Sequence, residues 1–250
     1  MPTASAEISG RSTFESFMQD LYRNRCSASA KLLIDEIESF VGLGIEVSQG
    51  SENPFNHPGP PCPRIGFPNL EEIADHFMLH ELLHLSRNWP ERVPLICTRS
   101  DTDPLSIYVS RLDNDLEHLS IVPRTQKLCK TDASEWPDII MRDWKTGTWD
   151  KYTDCRHARR LLLQCSLTAD FLLPPEAENS WTFIKDVIRK KGLTAKATEF
   201  SSAIREARGS KSRVAAIAFH FLELPPKDSC LVTMDRNADE WQVIEPIPNF

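Results

Sequence analysis

Nowhere do apolar residues run together for the roughly 18 positions that a membrane-crossing helix needs, so no membrane span is expected. A basic stripe is missing too. The longest basic patches, Arg156-His157-Ala158-Arg159-Arg160 and Arg189-Lys190-Lys191, are short, and the formal net charge is −7. Both patches read as solvated helix faces, so no nucleic-acid partner is expected. The opening residues, Met1 to Glu7, lack a basic region and a hydrophobic run, and a secretory signal is not expected either. The seven cysteines, at positions 26, 62, 97, 129, 155, 165 and 230, are odd in number and form no CxxC pair. This pattern suits reduced thiols and a cytoplasmic protein rather than a disulfide scaffold.

What is present is ordinary for a globular domain. The 250 residues are 40% hydrophobic and 26% charged, enough to build a core without cross-links. Residues 1–11 are small and polar and read as a disordered terminus. The rest reads as one α+β domain, predominantly helical, over residues 12–250. Apolar residues at helical spacing predict helices over Ser12–Arg25, Ser29–Val41, Cys155–Leu173, Glu176–Lys190 and Ala195–Glu206. The proline-rich stretch 50–68 reads as a loop, and 111–150 is weakly patterned. A helix from an Asn69 cap, with Glu72 at the capping-box position, runs to about Ser86. Short strands are expected at Val93–Cys97 and Ile107–Val109. Val214–Leu224, Cys230–Met234 and Trp241–Ile244 read as a small C-terminal β-meander.

The residues that carry chemistry lie on the helix ending near Ser86, in the run His80-Glu81-Leu82-Leu83-His84. Residues four apart stand one above the other on a helix, so His80 and His84 can share one ion. Glu81 is offset by about 100° from His80 and about 60° from His84, which leaves it beside the ion rather than on it. Two neutral imidazoles that bind Zn²⁺ and an adjacent carboxylate that takes a proton from water are the working parts of an HExxH site. The bland alternative is a buried helix with solvent-side histidines. Zinc needs a third protein ligand, for which His76, His118, His157, Glu117, Asp150 and Asp154 are candidates. A ladder of His76, His80 and His84 drifts about 40° per step, which strains three ligands on one ion. Cys155 and Cys165 read as packing residues, His220 as a strand histidine, His57 as a solvated loop residue, and Asp113, Asp115 and Glu117 as an exposed acidic turn.

The downstream segment Gly147-Thr148-Trp149-Asp150-Lys151-Tyr152 matters here. HELLH followed by Gly-Thr-x-Asp resembles the aspzincin metallopeptidases, whose fungal members are the deuterolysins. The resemblance spans roughly residues 69–184 and implies a zincin-type fold. It makes Asp150 the third zinc ligand with His80 and His84, and places Tyr152 near the reacting oxygen. Tyr152 stands one place earlier than in that pattern, and the glycine that follows it there is missing. Asp154, close to Asp150 in sequence, is a further candidate for proton transfer. The resemblance implies amide hydrolysis, hence an endopeptidase. In size, intracellular character and the 76/80/84 ladder, the chain is also similar to the hemocyanin-like zinc cyclopenases of fungal alkaloid metabolism. That likeness implies a small amide-containing substrate and a ring contraction of a cyclopenin-type benzodiazepine to a quinolone. A non-enzymatic protein with structural zinc is the third reading. The oligomeric state is not legible.

Overall fold

The computed structural model describes residues 26–51, 54–59, 62–69, 73–99, 105–129, 155–173, 178–235 and 240–250. The helix expected over Ser12–Arg25 lies outside the described residues. The chain is α+β and mainly helical, and it divides into two compact units. The first comprises Met1–Val93, Arg124–Thr131 and Thr233–Gln242, and the second Pro94–Pro123, Asp132–Val232 and Val243–Phe250.

In the first unit, helix α1 (Ala28–Val41) starts where Ser27 accepts a hydrogen bond from the Ala30 amide. It stops at Gly42, whose φ of 77° is left-handed backbone that glycine adopts without strain. Strands β1 (Glu46–Gln49), β2 (Phe55–His57) and β3 (Arg64–Phe67) form a sheet in the order β1-β3-β2, with β2 antiparallel to β3 on an edge. The stretch expected as a loop thus contains two strands. Its prolines flank the pairing residues instead of interrupting them. Helix α2 (Asp75–Asn88) packs against α1 and β2. It begins later than the expected Asn69 cap. Ala74 occupies the cap position without a side-chain bond, and the Asp75 carboxylate stands in the first turn, where the helix dipole favours it. Asp75 also accepts from the Ser27 amide, which ties the starts of α1 and α2 together.

The second unit is built around helices α4 (Cys155–Leu172), α5 (Glu178–Lys190), α6 (Thr194–Ala207) and α7 (Lys211–Phe221). Long helix α3 (Leu105–Cys129) contributes Val109, Leu112, Leu116, Leu119 and Val122 to the core at steps of three or four. The strand expected at Ile107–Val109 is the start of this helix. The strand expected at Val214–Leu224 is α7. A continuous apolar run does not distinguish a buried strand from a buried helix. Here the alanines at 215, 216 and 218 favour the helix, and Ser210 caps it by accepting from the Arg213 amide. The remaining C-terminal strands form as expected. β4 (Leu95–Thr98), β5 (Ser229–Asp235) and β6 (Glu240–Pro246) make a sheet in that order.

Asp113 and Glu117 are not on an exposed turn. Both are buried on α3 and bind the buried Lys211 ammonium at 2.6 and 2.5 Å. Among the described residues no helix is long and apolar enough to cross a membrane.

Candidate metal centre

Helix α2 is buried over nine consecutive residues, Met78 to Ser86. A run of that length makes about two and a half turns, so the helix is enclosed on every side. Leu79, Leu82, Leu83 and Leu85 suit that setting, but His80, Glu81 and His84 keep only 8%, 7% and 5% of their exposure. Burying imidazoles and a carboxyl among leucines is costly unless they have partners. The helix therefore carries its polar groups where a ligand or a hydrogen bond must satisfy them.

The rings of His80 and His84 stand 5.0 Å apart, nearly edge to face at 78°. One ring nitrogen from each, with one from His118 on α3, lie within 4.8 Å of one another. This histidine cluster, with His80 and His84 buried and His118 half-buried, can hold a metal ion. The donor set fits zinc. Three imidazoles leave a fourth tetrahedral position open, as hydrolytic zinc sites require. Burial pushes the His118 imidazole down to about 4, against the opposing effect of Glu117, so at neutral pH it is in the uncharged form that binds metals.

Glu81 faces a partner that the sequence did not announce. Asn56, in the middle of β2, donates from Nδ2 to Glu81 Oε2 at 2.8 Å. Burial pushes the Glu81 carboxyl up to about 7, and the Asn56 bond pulls in the opposite direction. With Oε2 engaged, Oε1 is the oxygen that can meet a water or a substrate proton. Strand β2 holds Asn56 in place by pairing its neighbours Phe55 and His57 with Gly66 and Arg64.

The expected site residues are thus distributed unevenly. His80 and His84 stand together as helical spacing requires, and Glu81 is buried on the same helix with Asn56 as its hydrogen-bond partner. Asp150, Tyr152 and Asp154 lie outside the described residues. The third nitrogen comes from His118, one of several candidates by sequence and not the favoured one. His76 is not part of the cluster. Its ring lies 4.2 Å from that of Phe77. His57 is on β2 rather than in a loop, and burial lowers its pKa. His220 is on α7, with its ring against Phe221 and Phe250.

Comparison with family models, with curated proteins and with solved structures finds no match. The fold and the site by themselves define a mainly helical α+β protein with a histidine cluster able to hold a metal ion.

Proposed function

We propose that the protein is a zinc-dependent enzyme that acts on an amide bond, with zinc held by His80, His84 and His118 and with Glu81 as the proton carrier. The observation that carries this reading is the convergence of three imidazole nitrogens, with a buried carboxylate on the same helix as two of them. Bound zinc supplies polarisation of a carbonyl oxygen and a lower pKa for water. Glu81 takes a proton at Oε1 and returns it to the departing nitrogen. Asn56 holds the opposite carboxylate oxygen, so Glu81 stays oriented while the proton moves. The enclosing leucines, Leu79 and Leu82 among them, keep bulk water from the reacting groups.

The substrate we favour is a small amide-containing molecule of fungal secondary metabolism, turned over in the manner of a cyclopenase in the cytoplasm. Support comes from the similarity in size and from the cysteine pattern. The peptidase reading is favoured by one specific observation, the match of HELLH with Gly147-Thr148-x-Asp150. Cleavage of casein by zinc-loaded protein would select the peptidase. Turnover of a cyclopenin-type benzodiazepine without proteolysis would select the lyase.

The metal assignment is tested by elemental analysis of purified protein. One zinc per chain is expected in the wild type, with strong loss in His80→Ala and His118→Ala. Asp150→Ala serves as the comparison. If it loses zinc while His118→Ala keeps it, the third ligand is Asp150 and the histidine cluster is not the centre.

A further inference from the structure

Two cysteines outside the metal centre face each other across a sheet. In the antiparallel pair β4–β5, Leu95 stands opposite Val232, Ile96 opposite Leu231, Cys97 opposite Cys230 and Thr98 opposite Ser229. Residues directly opposed in a sheet project their side chains from the same face. The ladder also reveals which kind of pair this is. The Arg99 amide donates to the Asp228 carbonyl at 2.9 Å, one step beyond Thr98 and Ser229. Hydrogen-bonded and non-hydrogen-bonded pairs alternate along an antiparallel ladder, so Cys97 and Cys230 form a hydrogen-bonded pair. The Ile96 amide agrees with this parity, since it turns away from β5 to donate to Asp113 at 3.1 Å. Opposed residues of a hydrogen-bonded pair have Cα atoms about 5.5 Å apart. That value lies inside the roughly 4.4–6.8 Å window of disulfides, while the Cβ atoms of such a pair, about 5.5 Å apart, must draw about 1 Å closer to reach the usual disulfide separation of about 3.5–4.5 Å.

We propose that Cys97 and Cys230 are a thiol–disulfide modification site, which closes an intrachain cross-strand disulfide by exchange with a low-molecular-weight disulfide such as oxidised glutathione. Cys97 is half-buried and Cys230 is buried, so the two differ in access. That difference sets the order of events. The Cys97 thiolate attacks the small disulfide, forms a mixed disulfide and releases one thiol. The Cys230 thiolate then attacks the Cys97 sulfur and releases the second thiol. The two protons lost from the cysteines end on the two released thiols, and the two electrons end in the reduced small disulfide. Cross-strand disulfides at such pairs are strained, which makes them easy to reduce again. The bond would join two strands whose cysteines are far apart in the chain, and closure of a long loop restricts the unfolded chain.

The proposal does not depend on the metal reading, because neither cysteine belongs to the histidine cluster. The test treats the folded full chain with oxidised glutathione, blocks remaining thiols with an alkylating agent, and maps peptides without reduction. A Cys97–Cys230 linked peptide is expected, together with a raised melting temperature that reverts on adding dithiothreitol. Cys97→Ser should abolish the linked peptide, and Cys230→Ser should stop the reaction at a glutathione adduct on Cys97. If either variant fails to fold, the wild-type map alone decides. Recovery of both cysteines alkylated, or each with its own glutathione, would overturn the proposal, as would linkage of either to another cysteine.

Discussion

Glu81 has a buried carboxylate, shares its helix with His80 and His84, and accepts from the Asn56 amide of strand β2. Replacing it by Gln changes the charge and little else. Glu81→Gln should keep its zinc and its fold and lose activity by about 10²- to 10⁴-fold, the range of general acid–base catalysis. Turnover and zinc content measured on one sample check this. Near wild-type rates in zinc-loaded Glu81→Gln would move the proton carrier elsewhere, with Tyr152 and Asp154 next in line. Asn56→Ala should act differently. It removes a hydrogen bond to a buried carboxyl, so a loss of about 1–3 kcal/mol in stability is expected by urea unfolding. Asn56→Asp should cost more, because it sets a second carboxyl against the first. Equal stability of all three proteins would mean that this bond does not form.

At the scale of elements, the site depends on β2 staying where it is, and β2 depends on a glycine. A Cβ built at Gly66 would stand 2.0 Å from the Phe55 ring, far inside contact distance. The ring of Phe55 therefore lies over the space that glycine leaves on the paired strand. Gly66→Ala should push that ring, already 39% exposed, away from the strand and destabilise the protein by about 0.2–1 kcal/mol, the worth of the cross-strand contact it loses. Phe55→Ala removes the ring, so in the double variant the added methyl should cost much less. A double-mutant cycle by urea unfolding reads that coupling, and simple additivity would contradict the packing described. The same element explains why Asn56 was not anticipated. It sits in a stretch whose proline content argues for a loop, and nothing in the local pattern ties it to Glu81. Helix α3 was legible in principle, since its buried Val109, Leu112, Leu116 and Leu119 follow helical steps. Pro123 and the acidic residues between them masked the period.

At the scale of the whole molecule, the second unit carries a buried charge cluster that its composition did not advertise. Burial pulls the Lys211 pKa down, but Asp113 and Glu117 outweigh it and hold the ammonium above the ordinary lysine value. Asp113 also accepts from the Ile96 amide, so the cluster joins α3, α7 and β4. Lys211→Met leaves two carboxylates buried without their cation and should cost about 3–5 kcal/mol. The pH dependence has a definite sign. A lysine whose pKa is higher folded than unfolded stabilises fully below its unfolded value and stops doing so as pH rises through its folded value. The stability gap between wild type and Lys211→Met should therefore hold at neutral pH and narrow under strongly alkaline conditions. A gap that widens with alkali would reverse the assignment. Urea midpoints across that range make the measurement.

The sequence by itself determined whatever obeys a local period. The helical step of four puts His80 and His84 on one face and Glu81 beside them, whatever the rest of the chain does. The apolar periods of α1, α4, α5 and α6 likewise fixed those helices within a few residues. Tertiary structure alone decided what lies across a gap with no period. His118 reaches the pair from another helix, and Asn56 reaches Glu81 from an edge strand. Whether Val214–Leu224 coils or extends was also decided there, because an apolar run satisfies either geometry until its neighbours bury it. Local rules act through backbone geometry over a turn or two, while ligand sets and charge clusters depend on which faces the packed core brings together.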